Sequence, residues 1–172
     1  MRRVDNIFIH CTAGFGNVDS LRRFWRSMGW KVDGYHFVIL TDGTVEPLVP
    51  ISQPSNGVRG YNQNSIHIAY QGGVSRSNVN RAEDTRTEAQ KASLVTVIQE
   101  VLKELKKHQA VDHVRIAGHR DASPDANGSG VIESWERIKE CPSFDVVPYY
   151  GWMMGKKALQ SKRLVWKPGE HS

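Results

Sequence analysis

The order of apolar and polar positions already divides the chain into alternating strands and helices. Ile7-Phe8-Ile9-His10-Cys11 is a short apolar run that reads as a buried strand. Over residues 18–28 the period lengthens. Leu21, Phe24, Trp25 and Met28 share one helical face, Asp19 or Ser20 can cap it, and Gly29 ends it. Residues 35–40 form a second apolar run, Asp42-Gly43 is a hairpin turn, and Thr44-Val45-Glu46 begins the returning strand. Residues 52–64, rich in Ser, Asn, Gly and Pro, read as loop, and 65–70 as another strand before Gly72-Gly73.

After a polar stretch over 74–86, Thr87 and Gln90 have the spacing of a capping box and open a long helix. Leu94, Ile98, Val101, Leu102 and Leu105 form its apolar stripe, and Lys106, Lys107 and His108 suit its C-terminal end. Residues 114–117 read as a last short strand, ending at Gly118-His119. Residues 133–139 look helical, and the Trp and Tyr residues near 149–152 are expected to cover the core. Strands alternating with helices, plus one hairpin, predict a single α/β domain with a mixed central sheet flanked by helices.

A chain of 172 residues suits one domain and can bury a core without disulfide staples. No apolar run approaches the ~20 residues that span a bilayer, so no membrane span is expected. The basic start Met1-Arg2-Arg3 lacks the apolar region of a signal peptide, which predicts synthesis in the cytoplasm. The net charge of +5 is spread along the chain and gives no reason to expect a nucleic-acid partner. Lys156, Lys157, Lys162, Arg163 and Lys167 gather near the end, and 153–172 reads as a basic, solvated tail. Two cysteines, Cys11 and Cys141, are too few for a disulfide framework; metal ligation or simple burial stays open for each.

Seven histidines occur, and no pair has the spacing of a helical His-Glu-x-x-His site. Two stand out by position: His10 ends one apolar strand and His119 follows another, where ligand groups gather in α/β sheets. With Cys141 they would make a three-ligand set that leaves a fourth tetrahedral place for water.

Six blocks carry a family resemblance: Phe8-Ile9-His10-Cys11-Thr12-Ala13, Gly34-Tyr35-His36-Phe37, Asp42-Gly43-Thr44-Val45-Glu46, Gly60-Tyr61-Asn62-Gln63-Asn64-Ser65-Ile66, Gly118-His119-Arg120-Asp121 and Lys139-Glu140-Cys141-Pro142-Ser143-Phe144-Asp145. In this order the chain resembles the type 2 N-acetylmuramoyl-L-alanine amidases, which include bacteriophage amidase lysozymes and peptidoglycan recognition proteins. The resemblance implies a mixed sheet with one zinc in a cleft, its ligands falling on His10, His119 and Cys141. It also implies catalytic roles for Tyr35 and Lys139.

The implied reaction is hydrolysis of the amide between N-acetylmuramic acid and L-alanine in bacterial peptidoglycan. Zinc lowers the pKa of bound water from ~15.7 towards ~7. Lys139 would stabilise the oxyanion, and Tyr35 would orient water or pass a proton to the leaving nitrogen. A core ring for Tyr35 and a solvated helix-end lysine are the plain structural alternatives. On this reading residues 1–152 form the zinc amidase domain, acting as a monomeric prophage or lysis enzyme of endolysin type on the cell wall after release or export. The alternative is a peptidoglycan-binding module of the same fold that does not cut. Retention of all three donors favours the enzyme.

Neighbours of these residues take other expectations. His36 should face away from Tyr35 on a strand, and Cys11 away from His10. Asn62 and Asn64 are candidates for binding the muropeptide. Two departures from the family pattern stand out. The stretch Asn56-Gly57-Val58-Arg59 lacks a histidine that many members carry, and His67 stands where the strand often has glycine. His67 either lines the cleft or is a core histidine.

Residues 125–136 follow the twelve-position calcium loop. Asp125, Asn127, Ser129, Val131, Glu133 and Glu136 take the ligand positions, and Gly130 the sharp turn. A calcium ion there would fix the spacer before Cys141; an Asx-rich surface turn is the alternative.

Overall fold

The computed structural model describes residues 1–123, 132, 134–137 and 139–161. Five strands, β1 (Asn6–Cys11), β2 (Phe37–Ile39), β3 (Val45–Pro47), β4 (Ser65–Tyr70) and β5 (Arg115–Gly118), form one sheet in the order β3-β2-β4-β1-β5. β1, β2, β4 and β5 run parallel, and β3 returns antiparallel along the edge from the Asp42-Gly43 turn. The fold is therefore the α/β domain with a mixed sheet that the pattern predicts.

Strand alternation gives the sheet two unlike faces. Ile7, Ile9, Cys11, Ile66, Ile68, Tyr70 and Ile116 point to one side and pack with Leu94, Ile98, Val101 and Leu105 of α2 (Glu88–Lys106). The capping box that starts α2 is present: Thr87 Oγ1 accepts the Gln90 N–H and Gln90 Oε1 accepts the Thr87 N–H, both at 3.0 Å. Gln90 also donates Nε2–H to the carbonyls of Ile39 and Gln71, tying the helix start to the ends of β2 and β4. The opposite face carries Phe8, Ala117 and Val58, and with them the buried imidazoles of His10 and His67. The expected buried thiol is found: Cys11 lies on the α2 side, away from His10.

Several local expectations change. The first helix, α1 (Val18–Ser27), is capped by Asn17, whose Oδ1 accepts the Ser20 N–H, so neither Asp19 nor Ser20 is the cap. Only Trp25 of its apolar face is buried, while Phe24 and Met28 are exposed. The helix is held along a narrow line, with Arg22 and Arg26 pairing at 2.9 and 2.8 Å with buried Asp33. The described part of 133–139 holds a 3-10 turn, Ser134–Glu136. In α3 (Val146–Tyr150) and the turn after it, Tyr150 joins the core, but Tyr149 and Trp152 remain exposed.

The boundary drawn at 152 does not match the edge of the packed body. Residues 156–160 form α4 (Lys156–Gln160), and Met154 and Ala158 enter the core, while Leu159 on the outer face of the helix stays exposed. The Ala158 N–H reaches the Asp112 carbonyl at 3.0 Å, and Arg115 reaches the Ala158 carbonyl at 2.9 Å. Lys162, Arg163 and Lys167 lie outside the described residues. Among the described residues no helix is long and apolar enough to cross a membrane.

Candidate metal centre

The C-terminal ends of β1 and β5, adjacent and parallel, bring His10 and His119 side by side. Their rings meet edge to face, 4.9 Å between centroids. Cys141 arrives from a short strap beyond β5. Donor atoms of His10, His119 and Cys141 all lie within 4.8 Å of one another, and His10 Nδ1 is 3.8 Å from Cys141 Sγ. Tetrahedral zinc bonds to nitrogen and sulfur would set such donors about 3.3–3.6 Å apart. Two imidazoles and a thiol at this spacing fit a divalent ion that accepts nitrogen and sulfur. Among the described residues this is the set that could hold a metal.

The strap is anchored from several sides. The Arg120 N–H, next to His119, donates to the Cys141 carbonyl at 2.8 Å, so two donors share one backbone link. The Cys11 N–H donates to Cys141 Sγ at 3.1 Å. Buried Tyr70 donates its hydroxyl to the Pro142 carbonyl at 2.7 Å, and Ser143 Oγ donates to the Gly73 carbonyl at 2.8 Å. The Arg120 guanidinium pairs with Asp145 further along. Behind the strap, the Arg86 guanidinium lies 3.4 Å over the Phe144 ring and hydrogen-bonds the Tyr150 hydroxyl at 2.7 Å.

Burial sets the charge state of the donors. It pushes His119 down to about 4, with the Lys139 charge acting the same way. It holds His10 well below its ordinary value, with the neighbouring His119, His67 and His36 adding to the effect. Both rings are neutral near pH 7 and keep a lone pair for a metal. Burial pushes the Cys141 thiol well up, and the Lys139 ammonium acts in the opposite direction.

Tyr35 does not lie in a regular strand, because β2 begins at Phe37. Its ring sits 5.0 Å from His10 and edge-on to Trp25, and its hydroxyl donates to the Cys11 carbonyl at 3.3 Å. Gly34 permits the approach of Trp25, since a Cβ there would lie 3.0 Å from the indole. Loss of solvent holds the Tyr35 hydroxyl well above the usual phenol value, so it stays a donor. Lys139 is exposed, and its charge acts on both His119 and Cys141.

His36 does not face away from the site. Outside the strand it escapes strict alternation, and its ring stacks on His67 at 5.9 Å on the His10 side of the sheet. Asn62 and Asn64 are committed to the fold: Asn62 Oδ1 accepts the N–H groups of Gly57 and Val58, and Asn64 Nδ2 donates to Asp5. Asn64 is buried, whereas Asn62 is half-buried and commits only its carbonyl oxygen to these bonds. The calcium positions Asp125, Asn127, Ser129, Val131 and Glu133 lie outside the described residues, while Glu136 is buried in its 3-10 turn.

Comparison with known proteins agrees with this geometry. The N-acetylmuramoyl-L-alanine amidase family matches residues 1–142, from the first strand through the cysteine strap. The chain belongs to this family. An uncharacterized protein of Haemophilus influenzae is 38% identical over 123 residues, covering 72% of this chain and 97% of that one. The endolysin of Enterobacteria phage K11 is 30% identical over 148 residues, covering 84% and 93%. Among solved structures, the N-acetylmuramoyl-L-alanine amidase LysC from Clostridium intestinale superposes with a TM-score of 0.62 at 21% identity, over 84% of this chain and 80% of that one. Drosophila peptidoglycan recognition protein SD superposes at 0.64 and 18% identity, over 96% and 87%. These structural likenesses establish a shared fold. Membership of the amidase family supports peptidoglycan amidase activity, and the three donors could bind a metal ion.

Sequence reasoning left one participant undecided. His67 is fully buried, and its Nδ1 lies 2.9 Å from His10 Nε2. The signal was its period: two residues from Ser65 and from Ala69, it shares the face of a strand paired with β1.

Proposed function

We propose that this chain hydrolyses the amide between N-acetylmuramic acid and L-alanine in bacterial peptidoglycan, with zinc held by His10, His119 and Cys141. The observation that carries the reading is the convergence of those three donors in a chain that matches the amidase family over residues 1–142. When bound, zinc supplies a nucleophile at neutral pH and polarises the scissile carbonyl. The protein's own groups do the rest. His10 and His119, neutral by burial, offer lone pairs without first losing a proton. The strap fastened by Tyr70, Ser143 and Arg120 fixes the third donor relative to the sheet.

Tyr35 remains protonated and can hand a proton to the leaving nitrogen. Lys139 brings positive charge to where the carbonyl oxygen gains negative charge. Residues 1–152 hold all of these groups, and the enzyme reaches the wall after release or export, as a phage-type endolysin would.

The test is digestion of purified peptidoglycan with mass spectrometry of the products, alongside metal analysis. Expected are lactyl-free-acid muramic acid, stem peptides beginning at L-alanine, and about one zinc per chain. Cys141→Ser should lose both zinc and turnover. A parent protein that binds peptidoglycan without releasing stem peptides would instead place it with the recognition modules that share the fold. Full zinc and full activity in Cys141→Ser would refute the ligand assignment.

A further inference from the structure

The two departures of this chain from the family pattern meet at one point. His67, in place of glycine, and Gly57, in the stretch that lacks a histidine, are in contact. A Cβ on Gly57 would lie 2.2 Å from the His67 ring atoms Cγ and Nδ1, so the imidazole fills the space above that glycine. The ring is stacked between Phe8 at 5.7 Å and 10°, and His36 at 5.9 Å and 13°. Ring stacking fixes its plane, and among the described residues its one side-chain hydrogen bond is to His10 at 2.9 Å. Among the described residues its Nε2 has no partner.

Proton accounting gives that bond a direction. His36 Nδ1 accepts the His67 backbone N–H at 2.9 Å, so the neutral His36 ring carries its proton on Nε2 and donates it to the Gln53 carbonyl at 2.7 Å. His10 turns Nδ1 toward Cys141 Sγ, and a metal held on that nitrogen would leave the ring proton on Nε2. That proton points at His67 Nδ1, which must then be the acceptor, with the His67 proton on Nε2. A ligand histidine whose far nitrogen donates to a fixed acceptor is locked in tautomer and in ring orientation.

We propose that His67 is a positioning residue for the metal centre: its Nδ1 accepts the His10 Nε2–H and so holds His10 Nδ1 toward the metal. The histidine missing from the 56–59 loop is replaced, in space, by an imidazole from the sheet that works on a ligand from behind. This rests on the zinc reading above.

The test measures zinc affinity by chelator competition in the parent, His67→Leu and His67→Asn. Leucine keeps the bulk and removes the acceptor, and asparagine places Oδ1 where Nδ1 was. His67→Leu should bind zinc about 10–100-fold more weakly, the usual range for loss of such a partner. His67→Asn should stay within a few-fold of the parent. Nitrogen NMR of the zinc-loaded parent should show the Nε2–H tautomer at His67, leaving its Nδ1 free to accept. Parental zinc affinity in His67→Leu, or the Nδ1–H tautomer at His67 in the zinc-loaded protein, would overturn the proposal. Should His67→Leu fail to fold, the His67 tautomer and His67→Asn decide it, and loss of affinity in the asparagine variant counts against it. A parent that takes up no zinc overturns the metal reading as well, whereas a parent that binds zinc but leaves peptidoglycan intact overturns the reaction alone.

Discussion

Acid should unfold this protein earlier than its carboxylates alone would require, and His36 is where the effect can be isolated. Burial pushes the His36 imidazole from 6.5 down to about 4, against a lesser opposing effect from the Gln53 carbonyl, and the Arg2 guanidinium adds the smallest push, downward. The unfolded chain binds a proton near 6.5 and the folded one resists it. The stabilising contribution is therefore whole above about pH 6.5 and drains away as pH falls towards 4. Integrating between pH 7.5 and pH 5 gives a loss of about 2 kcal/mol from this one group. At this chain length that is roughly 4–8 °C in melting temperature.

His36→Asn keeps an acceptor for the His67 N–H and removes the titration. The assay is a thermal or urea melt of parent and variant at both pH values, with background titrations cancelling in the difference. The parent should lose about 2 kcal/mol more than the variant on acidification. An equal loss in both proteins would refute the claim that His36 is held neutral by its surroundings.

Further outcomes follow from the same contacts. Tyr35→Phe and Lys139→Ala should fold and retain zinc but each lose about a hundredfold or more in turnover, measured as stem-peptide release; parental rates in both would remove them from the chemistry. Gln90→Leu strands the Thr87 N–H and the Gln71 carbonyl, while the Ile39 carbonyl keeps the Gln71 N–H, and should cost about 2–4 kcal/mol in urea unfolding, with a loss under 1 kcal/mol ruling out the buried bonds as described. For the 125–136 loop we propose calcium binding. Calorimetry on zinc-loaded protein should detect it and Glu136→Ala should abolish it, whereas no heat at millimolar calcium would exclude it.

Periodicity made most of the fold legible because β1, β4 and β5 are near-continuous buried runs and α2 buries one continuous stripe. The stripe of Leu94, Ile98, Val101 and Leu105 and the Thr87–Gln90 box locate α2 to within a residue of its observed start. It failed at α1, where apolar Phe24 and Met28 stay exposed because ion pairs to Asp33, rather than a broad apolar face, hold the helix. The three donors were legible as strand-end positions and by family resemblance. Their supports were not. That Asn62 holds loop amides and His36 stacks beside the site depends on where chain segments cross, which spacing along the sequence does not encode.

The burial that makes the metal donors available also sets the conditions under which they can work. His10 stands on a strand paired on both sides, and its ring is packed among His67, His119 and Tyr35. A water-exposed imidazole could rotate and protonate freely. This one can do neither without breaking the His67 bond or bringing charge into a desolvated cluster. The strap takes the opposite approach: Cys141 lies on irregular chain, and its position is over-determined by hydrogen bonds from Arg120, Cys11, Tyr70 and Ser143 rather than by secondary structure. A rigid strand and a heavily tethered loop thus bring donors 131 residues apart in sequence into register. The two histidine donors rely on neutral rings, so a centre built this way suits near-neutral pH.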